Sequence, residues 1–218
     1  MQIGEIDSRD GDLIQIVTAA MAEAARRSGP WLVCRSGCSN CCVGPFPITH
    51  LDARRLRRGL ADLRTTDPER AGRIQARARD YVARVSPDFP GDSTTGILDQ
   101  SEAGLQRFQT FANDEPCPAL NPETGACELY SARPMTCRIF GPPMRGDDDG
   151  LIVCDLCYEG ASETEIEACA VDHDPDGIER DILDELEKIH GNDGETIIAF
   201  CLAAPEKAVR SAGALEER

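Results

Sequence analysis

Nine cysteines in knots of short spacing carry most of the chemistry this chain can do. Cys34, Cys38, Cys41 and Cys42 fall together as C-x3-C-x2-C-C. Cys117, Cys127 and Cys137 follow with nine residues between neighbours, and Cys154 and Cys157 close the series as C-x2-C. A cysteine is ordinarily a scattered, small, buried hydrophobe. Thiols at spacings this short read instead as thiolate ligands gathered around metal. A tetrahedral zinc or a four-iron cluster takes about four thiolates. The nine candidates therefore allow two sites, or one site with redox-active or delivery thiols beside it. The adjacent side chains of Cys41 and Cys42 diverge and need not serve one ion. Thiolate suits zinc and iron–sulfur alike, so the residue types leave that choice open. Histidine is absent from the knots, which argues against mixed Cys/His fingers.

Composition narrows the function classes. The chain has 218 residues, a formal charge of -16 and aromatics at only 5%. A core built from Leu, Ile, Val and Ala is expected, and a bound metal would supply folding free energy that such a core lacks. Nucleic-acid affinity rests on Lys and Arg neutralising phosphates, and this charge balance runs the other way. It also disfavours an anionic membrane surface. No signal peptide is legible in the acidic stretch Met1 to Asp12, and no apolar run approaches a bilayer span. A cytoplasmic, thiol-reducing location is the expectation. The odd total of eleven cysteines also favours metal over a complete disulfide framework.

The second cysteine block is the most distinctive stretch. It reads Cys117-Pro118-Ala119-Leu120, then Gly125-Ala126-Cys127-Glu128-Leu129-Tyr130, then Arg133-Pro134-Met135-Thr136-Cys137-Arg138-Ile139-Phe140. Together with the first quartet it resembles the YkgJ-like cysteine-cluster family, the CxxCxxCC proteins, over about residues 30 to 160. The resemblance implies a zinc- or iron-chelating domain and supplies no defined reaction. The first spacing departs from the family pattern, with three residues in place of two. A looser similarity to flagellin lysine methylases, whose cysteines are thought to hold an iron–sulfur cluster, keeps an enzymatic reading open. Arg133 and Arg138 flank Cys137 and would stabilise an anionic site. Tyr130 could donate to sulfur, although a plain core tyrosine is the preferred reading.

The elements that must position these residues are mostly helical. Leu13, Ile16, Val17, Ala20, Met21 and Ala24 mark an amphipathic helix from Asp12 to Arg27, stopped at Ser28-Gly29-Pro30. Thr49 opens a second helix to about Leu63, with Arg54, Arg55, Arg57, Arg58 and Arg64 read as a solvated outer face. Asp67-Pro68 opens a third, to about Val85. Ser86 to Thr95 reads as loop, Ser101 to Phe108 as a short helix, and Arg133-Pro134 as the start of a helix presenting Cys137. Gly150 to Cys154 reads as a brief strand. Helices follow over Gly177 to His190 and Gly194 to Ala204, with a frayed charged tail from Pro205. The acidic stretch around Glu163, Glu165, Glu167 and His173 reads as a solvated loop capping the helix from Gly177. Cys169 falls outside the ligand set. Cys201 reads as core, and His50 and His190 as surface or capping residues.

The fold expected is mainly α, an irregular single domain of short helices around a cysteine-ligated metal centre, with little β. Residues 30–160 form its metal-binding core and 161–218 a helical extension. Walker, G-x-G-x-x-G, H-E-x-x-H and G-x-S-x-G signatures are absent. The preferred reading is a non-enzymatic protein chelating zinc or iron, as ions or an iron–sulfur cluster, for storage, delivery or sensing. An iron–sulfur enzyme and a structural zinc scaffold for an unidentified protein partner are the alternatives.

Overall fold

A computed structural model describes residues 3–35, 37–145, 150–191 and 194–204. The tail expected to fray from Pro205 lies outside them. In chain order the described residues form α1 (Ile3–Ser28), α2 (His50–Thr66), α3 (Pro68–Val85), β1 (Gly91–Asp92), β2 (Ile97–Leu98), α4 (Glu102–Phe108), α5 (Met135–Ile139), β3 (Met144–Arg145), β4 (Leu151–Ile152), α6 (Glu163–Cys169), α7 (Ile178–His190) and α8 (Ile198–Ala203). The strands make two antiparallel two-stranded ribbons, β1 with β2 and β3 with β4. The mainly α class with little β is what the structure shows. By its internal contacts the chain gathers into two units. One takes Met1–Cys38 and Met135–Leu186; the other takes Ser39–Pro134 and Glu187–Arg218.

In the first unit α1 starts at Ile3, upstream of the expected Asp12. Its buried seam repeats at alternating three and four residues and includes Ile6, Asp10, Leu13, Val17, Ala24 and Ser28. The aspartate at Asp10 hides the upstream continuation of this period in the sequence. Ile16, expected on the same face, lies off the seam and is 43% exposed. The helix packs against α5 and α6, and Arg9 Nη1 donates to Glu185 Oε1 at 2.8 Å. The acidic stretch expected to be loop instead winds into α6. Its capping box was legible as S-x-x-E: Ser162 Oγ accepts from Glu165 N and Glu165 Oε2 accepts from Ser162 N. The capping of α7 expected from this stretch is made by Asp174, whose carboxylate accepts from Ile178 N and Glu179 N at 2.9 and 2.8 Å.

In the second unit α2, α3 and α8 pack pairwise. Thr49 Oγ1 caps α2 through Asp52 N, and Asp67 caps α3 through Arg70 N, with Pro68 in the first helical position. Arg55, expected on the solvated face, is buried and paired with Asp52 at 2.5 Å, because three residues' spacing on a helix brings the two together. The sparse aromatics are concentrated here rather than missing from the core. Phe89, Phe108, Phe111 and Phe200 join Tyr81, Val85, Leu98 and Ile197 in one cluster, with Phe89 edge-on to Phe111 at 5.6 Å. Inside the expected 86–95 loop, Asp92 turns the chain by accepting from Thr94 N, which sets up the β1–β2 ribbon. The last helix begins at Ile198 rather than Gly194, since Ile48 and Thr196 exchange backbone hydrogen bonds of 2.8 and 3.0 Å and hold that segment extended. Cys201 is core, as expected, and its Sγ lies 3.2 Å from Ala53 O.

Candidate metal centres

Cys34, Cys38, Cys137, Cys154 and Cys157 belong to the first unit. The end of α1 places them. Ser28 Oγ bonds back to Ala24 O at 2.7 Å and also to the hydroxyl of Tyr158. Tyr158 N then donates to Trp31 O at 2.9 Å, and Cys157 N donates to Cys154 O at 2.8 Å. The C-x2-C turn is thus tied to the chain entering the first knot. Tyr158 itself has φ +63°, a left-handed conformation that costs a bulky residue about 1–3 kcal/mol. Its two bonds hold it there. Gly141, at φ +130°, passes beside the same knot; a Cβ there would stand 3.4 Å from Leu32 Cδ1.

These segments line an open cavity of about 340 Å³ whose wall carries Cys34, Cys38, Cys154 and Cys157, with Arg35 and Leu156. Cys34 is exposed, Cys38 and Cys154 are half-buried, and Cys157 is buried. Burial pushes the Cys154 thiol up, and the neighbouring Cys157 and Cys38 add to the shift. Cys169, which the sequence leaves outside the ligand set, is buried in one apolar cluster with Cys157 and Tyr158. Cys137 is half-buried on α5, and the adjacent Arg138 is buried.

Cys41, Cys42, Cys117 and Cys127 belong to the second unit. Cys42 O accepts from Cys117 N at 2.8 Å, and Gly44 N donates to Glu115 O at 2.9 Å. These two bonds close the long excursion between the knots. From Cys117 the chain doubles back: Leu120 bridges Cys127, Glu128 N donates to Ala119 O at 2.8 Å, and Asn121 Oδ1 caps the bend through Glu123 N and Thr124 N. Burial pushes the Cys117 thiol up to about 12, with Cys127 adding to the shift. Burial raises Cys127 too, opposed by Arg133 and Arg70 among others. Cys41, exposed, is drawn down to about 6 by a hydrogen bond from the Cys42 thiol. Beside Cys117, the unit holds a hollow of about 20 Å³, room for one water.

A stripe of arginines on α3 fastens this second block. Arg70 Nε donates to Glu128 Oε1 and its Nη2 to Glu128 O, both at 3.2 Å. Arg77 Nε donates to Pro118 O at 2.9 Å, and its Nη2 pairs with Glu128 Oε2. Arg84 grips Glu115 with two bonds of 2.7 and 3.2 Å. Sequence reasoning missed the roles of these five side chains. The signal was there: arginines at 70, 77 and 84 repeat every seven residues, which puts them on one helix face.

Of the arginines singled out from sequence, Arg133 lies with its guanidinium 3.7 Å from the Tyr130 ring centroid and donates to Tyr130 O at 3.0 Å. Tyr130 is not core: it is 63% exposed. The reason is a tertiary fit. Ala132, in the turn Tyr130–Ala132, presses on α2 where only a glycine fits, and a Cβ on Gly59 would come within 2.2 Å of it. That turn leaves the tyrosine pointing outward.

Among the described residues no three His, Cys, Asp or Glu side chains converge as the ligands of one ion. The donor chemistry nonetheless fits a thiophilic cation. Both units bring together cysteines distant in sequence, and the raised thiol pKa values are the kind a bound cation reverses. Among the described residues no helix is long and apolar enough to cross a membrane. Residues 33–158 match the model of one family, CxxCxxCC, described as "Putative zinc- or iron-chelating domain". No curated protein and no solved structure gives a significant match.

Proposed function

Because the chain belongs to the CxxCxxCC family, we propose that it binds zinc or iron through its clustered cysteine thiolates, drawn from Cys34, Cys38, Cys41, Cys42, Cys117, Cys127, Cys137, Cys154 and Cys157, and that it serves to store, deliver or sense that metal. The observation that carries this reading is the meeting, within each unit, of thiols from distant segments. Cys34 and Cys38 share a cavity wall with Cys154 and Cys157, and the Cys42 carbonyl accepts from the amide of Cys117, whose thiol lies near that of Cys127. Apolar burial alone would scatter cysteines through the core, as with Cys201. Arg133 and Arg70 bring positive charge toward Cys127, and buried Arg138 neighbours Cys137, which suits an anionic thiolate centre.

Elemental analysis of anaerobically purified, untagged protein tests the reading. Zinc, iron or both are expected, and less than about one metal per chain overturns it. Colour sorts the alternatives: a brown protein points to iron–sulfur, a colourless one to zinc. Serine substitution assigns ligands. Cys127→Ser is expected to lose metal and Cys201→Ser to keep it; the opposite pattern overturns the assignment.

A further inference from the structure

We propose that the cavity of the first unit is a metal station of its own, that Cys34, Cys38, Cys154 and Cys157, which line its wall without converging on one point, draw together on the ion, and that it is the station from which the protein exchanges a soft divalent cation with ligands in solution. This rests on the reading that the thiols bind metal, and adds which thiols act together and what they do. The cavity of about 340 Å³ exceeds a bare ion by far and falls in the range of small-molecule sites. A closed tetrahedral site shields its ion on every side. An open one lets an incoming ligand bond the metal before a protein thiolate leaves, so transfer proceeds without a naked ion. Each metal–sulfur bond that breaks is replaced by one to the incoming ligand, and the freed thiolate takes a proton from water.

The residues present grade from wall to mouth in the way such a station requires. Cys157 is buried and fixed by its turn, Cys38 and Cys154 are half-buried, and Cys34 is exposed. Cys34 is thus the thiolate an incoming ligand displaces first. Arg35, exposed on the same wall, favours anionic chelators and acceptor thiolates. The turn is anchored by the Ser28–Tyr158 and Trp31–Tyr158 bonds, so the inner thiols stay in place as the outer one lets go. The second unit offers the contrast. Its hollow beside Cys117 holds about one water, and its exposed thiol is Cys41.

Cobalt(II) is the probe, titrated into the full-length reduced protein and followed by its thiolate charge-transfer absorbance. About two cobalt ions per chain are expected, with EDTA removing them in two phases at least ~10-fold apart in rate. Cys34→Ser is expected to abolish or further accelerate only the fast phase. Cys154→Ser is expected to remove that phase and about one cobalt, leaving the slow one, and Cys127→Ser to do the converse. Cys34 is exposed, so its substitution tests the station even where Cys154→Ser does not fold. A single cobalt lost alike from Cys154→Ser and Cys127→Ser overturns this proposal and leaves metal binding intact. So does a fast phase that follows Cys127 instead of Cys34. A wild-type protein that binds no cobalt overturns both readings.

Discussion

Glu128→Ala is the substitution that best tests how the second cysteine block is held. The Glu128 side chain is 3% exposed and receives Arg70 and Arg77, whose side chains are 37% and 29% exposed. Removing one partner from a buried ion pair costs about 3–5 kcal/mol, because the other charge is left uncompensated. Here the two arginines reach water, which takes over part of that loss, so ~2–3 kcal/mol is expected. With a urea m-value of about 1–3 kcal/mol per molar, the unfolding midpoint should fall by roughly 1 M. Metal must be held saturating in both proteins, since its loss would add its own linkage. Glu115→Ala is the control. It removes a pair whose arginine is 53% exposed, and should cost less than about 1 kcal/mol. Glu128→Gln should fall between the two, keeping the volume and an acceptor but not the charge. A second readout is local: Cys117 and Cys127 should be alkylated faster in metal-free Glu128→Ala, as the loop between them loosens. If Glu128→Ala costs no more than Glu115→Ala and leaves the alkylation rates unchanged, the arginine stripe is not what fastens this block.

The metal-free protein should lose stability with rising pH between 9 and about 12: Cys117 ionises near 9 when unfolded and near 12 when folded, so the unfolded state holds fewer protons in that window, and urea midpoints from pH 8 to 11 that do not fall would contradict this. Cys41 should react with iodoacetamide first among the thiols of metal-free protein, with an apparent pKa of about 6 that moves up in Cys42→Ala; mass mapping that finds Cys117 modified before Cys41 would reverse the assignment. Chelation should lower stability by an amount on the order of 10 kcal/mol and expose amides over 31–44 and 115–158 to hydrogen exchange, while α3 and α8, packed on the phenylalanine cluster, keep more protection; equal exchange in both states would make the metal a passenger.

The sequence by itself determined the mainly α class and several helix starts, and it offered the candidate donors. Thr49, Asp67 and Ser101 cap the helices they announce, because a cap is made by a side chain and an amide three residues away and needs nothing distant. The cysteine spacings pointed to thiophilic-metal chemistry for a similar reason, since thiolates a few residues apart have few other uses, and the family match agrees. What only the tertiary structure decided is grouping. Cys38 and Cys41 stand three residues apart in the chain and belong to different units, while Cys38 shares a wall with Cys154 and Cys41 lies in the unit of Cys117. No local rule reaches that far, because such pairings depend on where whole helices end. The role of Arg70, Arg77 and Glu128 was hidden likewise. An arginine on a helix reads as solvated until the carboxylate it meets, some fifty residues on, is brought against it. Tyr130 turns outward because Gly59 makes room for Ala132, a fit between two segments that neither one's composition contains.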